Sequence, residues 1–160
     1  MGVRIIVGIG QIEVMNSPAT LVGIALGSCV GLIVYDELNR VGGLAHIMLP
    51  SGIQEKVDGL PAKYADRAIP IMLERLAGLG GQAANYRAKL AGGAQMFLGG
   101  DGGRRHIGER NVELVRGLLA QRGIPLLARD TGGNYARTVE FSTETFKMSI
   151  RSISRDKRHM

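Results

Sequence analysis

The sequence predicts a strand-rich α/β domain, an α+β-like sandwich whose sheet layers are covered by two main helices. Three observations carry this. Short β-branched runs broken by turn residues fill residues 1–50. Two later stretches switch to a helical period. Strands and helices do not alternate regularly, which argues against a doubly wound nucleotide-binding sheet.

The first strands are expected over Arg4–Ile9 and Gln11–Met15, separated by Gly10. Thr20–Leu26, Cys29–Tyr35 and Val41–Leu49 follow, with turns at Gly27-Ser28 and at Asp36–Arg40. The last two of these strands read as a hairpin. Pro50-Ser51-Gly52 stops the run, and a polar loop leads to Pro61. From Ala62 the apolar positions Ala65, Ala68, Ile69, Met72, Leu73 and Leu76 share one helical face, with Pro70 off it as a potential kink. Strands are expected again over Tyr86–Leu90 and Ala94–Leu98, and Gly99–Gly103 reads as a tight loop. A second helix begins near Gly108, shows Val112, Val115 and Leu119 on one face, and ends at Gly123. Ile124–Arg129 is a strand. Val139 and Phe141, then Phe146, Met148 and Ile150, alternate with polar residues as a closing antiparallel pair.

At 160 residues the chain suits one domain, expected over residues 1–150, with 151–160 as a flexible basic tail. A domain of that size buries roughly 70% of its unfolded surface, enough for its own core. Apolar residues make up 45% and charged residues 21%, a folded rather than disordered balance. No run is long and apolar enough to span a membrane, and the N-terminus lacks the pattern of a signal peptide. With one cysteine and no export signal, a cytoplasmic location is expected. The tail holds Arg151, Arg155, Lys157 and Arg158 against Asp156, half of the net charge of +6. It reads either as a solvated terminus or as a contact for an acidic partner. Scarce aromatics, at 4%, and the absence of zinc spacing argue against a nucleic-acid module.

The single cysteine, Cys29, opens an apolar strand directly after Gly27-Ser28. It reads as a small buried hydrophobe or as a nucleophile. The turn favours the second reading, because it can present the backbone N–H groups of Ser28 and Cys29 to an oxyanion. His46 lies in the apolar strand Leu44–Leu49, whereas His106 and His159 read as surface residues. It is either a hydrogen-bonded core histidine or a general base. The hairpin brings it beside Cys29, where an imidazole can take the thiol proton. Gly99–Gly103 lacks the Gly-Lys-Ser/Thr ending of a phosphate-binding loop. No metal-ligand cluster is visible, so neither metal nor organic cofactor is expected.

The runs Leu26-Gly27-Ser28-Cys29-Val30-Gly31 and Gly43-Leu44-Ala45-His46-Ile47-Met48-Leu49-Pro50 resemble the chemoreceptor glutamine deamidase family, CheD. Lys89–Phe97, Ile107–Asn111 and Asp130–Gly133 followed by Arg137 extend the resemblance over nearly the whole chain. It implies a fold similar to that of cytotoxic-necrotizing-type toxin deamidases. The implied activity is deamidation of glutamines in the cytoplasmic helices of chemotaxis receptors, and the implied partner is a CheC-type phosphatase. The family's Cys–His–Thr triad falls on Cys29 and His46, but Gly23 stands where the threonine belongs. Thr20 is the nearest hydroxyl, three residues further upstream. An odd shift along a strand puts it on the opposite face, unless a bulge at Gly23 corrects the phase. The orienting group for His46 is then Thr20, a backbone carbonyl, water or nothing. A weakly active or inactive adaptor that binds the phosphatase is the alternative reading.

Overall fold

The computed structural model describes residues 2–52, 59–96, 106–152 and 155–160. Among these, the chain order is β1 (Val3–Ile6), β2 (Ile12–Asn16), β3 (Ala19–Leu26), β4 (Val30–Asp36), β5 (Val41–Ile47), α1 (Ala65–Gly78), β6 (Arg87–Gly92), α2 (Ile107–Gln121), β7 (Leu126–Thr131), β8 (Arg137–Ser142), β9 (Met148–Ser152) and β10 (Arg155–His159). The strands form two sheets, an outer one in the order β1-β3-β8-β9-β10 and a middle one in the order β2-β5-β4-β6-β7. No helix among the described residues is long and apolar enough to cross a membrane.

Strand alternation explains the layering. In β4, Val30, Leu32 and Val34 join Ala65, Ile69 and Met72 of α1 and Val115 and Leu119 of α2 in one core. Ile33 and Tyr35 point the other way and join Leu21, Val139 and Phe141 of the outer sheet in a second core. The middle sheet is therefore covered on both faces, so β4 and β5 are buried throughout. Such a sheet reads as continuous apolar runs rather than strict alternation. The hairpin between β4 and β5 is present, with Val30 opposite Ile47 and Asp36 opposite Val41. Asp36 closes it by accepting bonds from the Asn39 backbone N–H and side-chain amide at 3.1 and 2.7 Å.

Several expected boundaries move. The first strand stops at Ile6, because Val7–Gly10 turns away through Gly10, whose φ is +81°. The first helix begins at Ala65 rather than Ala62. Residues 62–64 instead meet the end of the hairpin, where Met48 N and Leu49 N donate to the Ala62 and Lys63 carbonyls. Pro70 lies inside α1 on its exposed side, where its missing N–H and ring disturb no packing. Of the expected strand Ala94–Leu98, residues 94–96 are irregular and the remainder lies outside the described residues, as does the Gly99–Gly103 loop.

Part of the segment expected as a basic tail is paired. Arg155–His159 forms β10, antiparallel to β9, with Arg158 opposite Ile150 and reciprocal backbone bonds between Met148 and Met160 at 2.6 Å. Pairing through the backbone needs no apolar side chains.

Candidate active site

Cys29 sits in the turn between β3 and β4 and is partly buried. The turn is produced by a break in β3. Its register with β8 is regular from Thr20 to Gly23 and shifts before Leu26. Within the shift Ala25 adopts a φ of +55°, and its N–H donates to Thr138 Oγ1 at 3.1 Å. The bulge turns Leu26 back into the inter-sheet core and sends the chain into Gly27-Ser28. Three carbonyls of the turn are then held. Gly27 O accepts from Ala94 N at 2.8 Å, Cys29 O from Gly93 N at 2.9 Å, and Ser28 O from the Asn111 amide at 3.0 Å. Among the described residues no backbone carbonyl accepts from Ser28 or Cys29 N–H. These two donors are available to an oxyanion.

His46 lies on β5 directly opposite Gly31 of β4. Gly31 and Cys29 are two residues apart on one strand, so Cys29 and His46 are diagonal neighbours on the ladder, about 7–8 Å apart at Cα in regular sheet. Both face the outer sheet, as Leu44 and Ile33 do. Gly31 has no side chain to stand between them. The imidazole is 2% exposed, and its Nδ1 lies 3.1 Å from the Val7 carbonyl oxygen. A carbonyl can only accept, so Nδ1 carries the proton and neutral His46 presents Nε2 as a base. Burial lowers the His46 pKa from its ordinary 6.5, partly offset by the Val7 bond. Burial likewise raises the Cys29 thiol, partly offset by its own backbone N–H. Both groups therefore rest neutral, as an acid–base pair does before proton transfer. No direct thiol–imidazole hydrogen bond occurs among the described residues, and such bonds often tighten only when substrate binds.

Thr20 is not part of this arrangement. It pairs with Arg4 and Ser142 on the face of the outer sheet that carries the Arg4–Glu140 ion pair. Gly23 points inward, since a Cβ there would lie 3.2 Å from Val139 and 3.6 Å from Leu44. The bulge falls after Gly23, so the odd spacing between Thr20 and Gly23 keeps them on opposite faces. The Val7 carbonyl takes the position beside Nδ1.

Two contributors escaped the sequence reading. Val7 acts through a backbone atom, which leaves no residue-type signal. Asn111 did leave one, a polar residue beside the apolar face of α2. Among the described residues no group of three or more His, Cys, Asp or Glu could hold a metal ion. A cleft of about 380 Å³ lined by Gly93, Gln95, His106, Glu109, Arg129 and Thr131 adjoins the Gly93 loop but includes neither Cys29 nor His46.

Residues 48–152 match the family model described as CheD chemotactic sensory transduction. Full-length relatives extend the match across Cys29 and His46. A Moorella thermoacetica protein named probable chemoreceptor glutamine deamidase CheD is 48% identical over 154 residues, covering 93% of this chain and 90% of its own. A Halalkalibacterium halodurans chemoreceptor glutamine deamidase CheD is 44% identical, covering 92% of each chain. A Thermotoga maritima protein of the same name is 44% identical, covering 92% of this chain and 91% of its own. A crystallised Neisseria meningitidis protein aligns with a TM-score of 0.49 at 12% identity, over 83% of this chain and 64% of that one.

Proposed function

The chain belongs to the CheD family, and we propose that it is a protein-glutamine deamidase converting chemotaxis-receptor glutamines to glutamates, with Cys29 as nucleophile and His46 as base. The observation that carries the catalytic reading is the bond from His46 Nδ1 to the Val7 carbonyl, which leaves Nε2 as the acceptor on the strand beside the Cys29 turn.

His46 Nε2 takes the Cys29 proton, and the thiolate attacks the carboxamide carbon of a receptor glutamine. The carbonyl oxygen gains the negative charge and accepts bonds from Ser28 and Cys29 N–H, each such donor being worth about 3 kcal/mol. The imidazolium gives its proton to the amide nitrogen, the C–N bond breaks and ammonia leaves. A thioester to Cys29 remains. His46 then takes a proton from water, whose oxygen adds to the acyl carbon. The C–S bond breaks, the sulfur regains the proton and glutamate is released. The cycle uses no metal or organic cofactor. Ile9, exposed on the loop that holds His46, and Met96, beside Gly27, offer apolar contacts to a substrate helix. On this reading the reaction takes place in the cytoplasm, where a thiol stays reduced. A CheC-type phosphatase is proposed as the regulatory partner.

Mass spectrometry of a receptor fragment tests the assignment. The wild type converts specific glutamines to glutamates, and Cys29→Ala loses about 10⁴-fold or more in rate while staying folded. Retention of full activity by folded Cys29→Ala would end the nucleophile assignment. The adaptor reading is favoured by Gly23 and by the upward shift of the thiol. It predicts no conversion and a Cys29 alkylated no faster than free cysteine.

A further inference from the structure

We propose that Asn111 is a positioning residue for this reaction, its buried carboxamide fixing the turn that carries Cys29 to the end of the strand that carries His46. The proposal rests on the reading of those two residues as the site. Asn111 lies on α2 and is fully buried. Its Nδ2 donates to Ser28 O at 3.0 Å and to Met48 O at 3.1 Å. One acceptor is the residue before the nucleophile, and the other is two residues beyond the base. Both N–H bonds of one rigid amide plane are therefore spent on spanning the two halves of the site.

The rest of the α2 start serves the same contact. Gly108, one turn earlier on the same side, lets the helix touch the loop from Gly93 to Ala94. A Cβ at Gly108 would lie 2.4 Å from Ala94 O and 2.5 Å from Gly93 C. That loop supplies the N–H groups that hold Cys29 O and Gly27 O. The helix thus abuts the loop that holds the nucleophile turn through Gly108 and fastens the turn itself through Asn111. Asn111 Oδ1 is buried with no partner among the described residues. An apolar residue would leave no such unpaired acceptor, so helix packing alone does not explain an asparagine here. Its two donors do, because they join the carbonyls of two half-buried residues, one from each half of the site.

A displaced turn moves the thiol relative to Nε2 without removing either group, so the chemical step suffers and substrate affinity does not. Asn111→Ala removes both donors. Asn111→Asp keeps the size but sets acceptor against acceptor. Val115→Ala, in the apolar core under the same helix, lowers stability without touching the turn. Well below the unfolding temperature, both Asn111 variants are expected to lose about 10²-fold in kcat with KM within about twofold. Val115→Ala is expected to keep wild-type kcat although its Tm falls. Wild-type kcat in either folded Asn111 variant, or an equal kcat loss in Val115→Ala, overturns the proposal. If Cys29→Ala is inactive while Asn111→Ala is fully active, only the positioning role fails; if Cys29→Ala is active, the site itself is wrong. Should both Asn111 variants fail to fold, hydrogen exchange of the wild-type Asn111 side-chain amide decides. Slow exchange supports the clamp, and exchange at the rate of a free amide overturns it.

Discussion

The two ends of the space between the sheets are built from opposite materials. At one end Tyr35, Phe141 and Phe146 pack together, with ring centroids 5.3 and 5.5 Å from Tyr35. At the other end the same strands present Gly31, Cys29 and His46. Tyr35 and Cys29 lie on the same face of the same sheet layer, yet one end is filled with large rings and the other with the aliphatic side chains of Leu26, Val139 and Leu44 packed over Gly31. A filled end supplies rigidity through dispersion and apolar burial. The glycine end buries an imidazole, which must then find a backbone partner, the Val7 carbonyl. The site can tolerate small, polar residues in a core because the aromatic end stabilises the sheet pair on its behalf.

Experiments at both ends would break or sharpen this contrast. The largest effect is expected at the glycine end. His46→Ala should reduce deamidation about 10²- to 10⁴-fold, as loss of a general base does, and leave the fold intact by circular dichroism. The wild-type pH profile carries a related signature. Neutral His46 is the active form, and burial lowers its pKa, so the acid limb of kcat/KM should fall below the ordinary 6.5. The same shift bears on stability. The unfolded chain takes up this proton at higher pH than the native one, so stability from this group is present above pH 6.5 and declines as pH falls towards the native pKa.

At the aromatic end, Phe141→Ala should cost about 3–5 kcal/mol in denaturant unfolding, with kcat per folded molecule near wild type. A large loss of kcat in folded Phe141→Ala would show that the two ends are not separable. The smallest effects concern the missing threonine. Gly23→Thr must push against Val139 at 3.2 Å, and should cost about 1–3 kcal/mol with no gain in rate, since Val7 already holds Nδ1. Thr20→Ala, on the far face, should leave kcat unchanged. A rate gain from Gly23→Thr would mean that a hydroxyl orients His46 better than the carbonyl does.

What was legible in the sequence follows from locality. Cys29 and His46 belong to strands joined by a short turn. A hairpin fixes its own register through that turn, so their adjacency follows from spacing. The periods of α1 and α2 and the alternation of β8 and β9 are equally local. That Gly23 stands where the resembling family's threonine is expected was also readable, because it is a single position in a short motif.

The remainder was decided by contacts distant in sequence. Val7 reaches His46 across 39 positions and Asn111 reaches Ser28 across 83. The first acts through a carbonyl that every residue type possesses, so no letter in the sequence could mark it. The second acts only because α2 docks on the middle sheet with Gly108 against the Gly93–Ala94 loop. The last strand, β10, likewise forms because β9 offers an unpaired edge, whereas composition alone suggested a basic tail. By itself the sequence determined which residues could react. The tertiary structure decided how they are held, because orientation here comes from backbone atoms and helix docking rather than from a third reactive side chain.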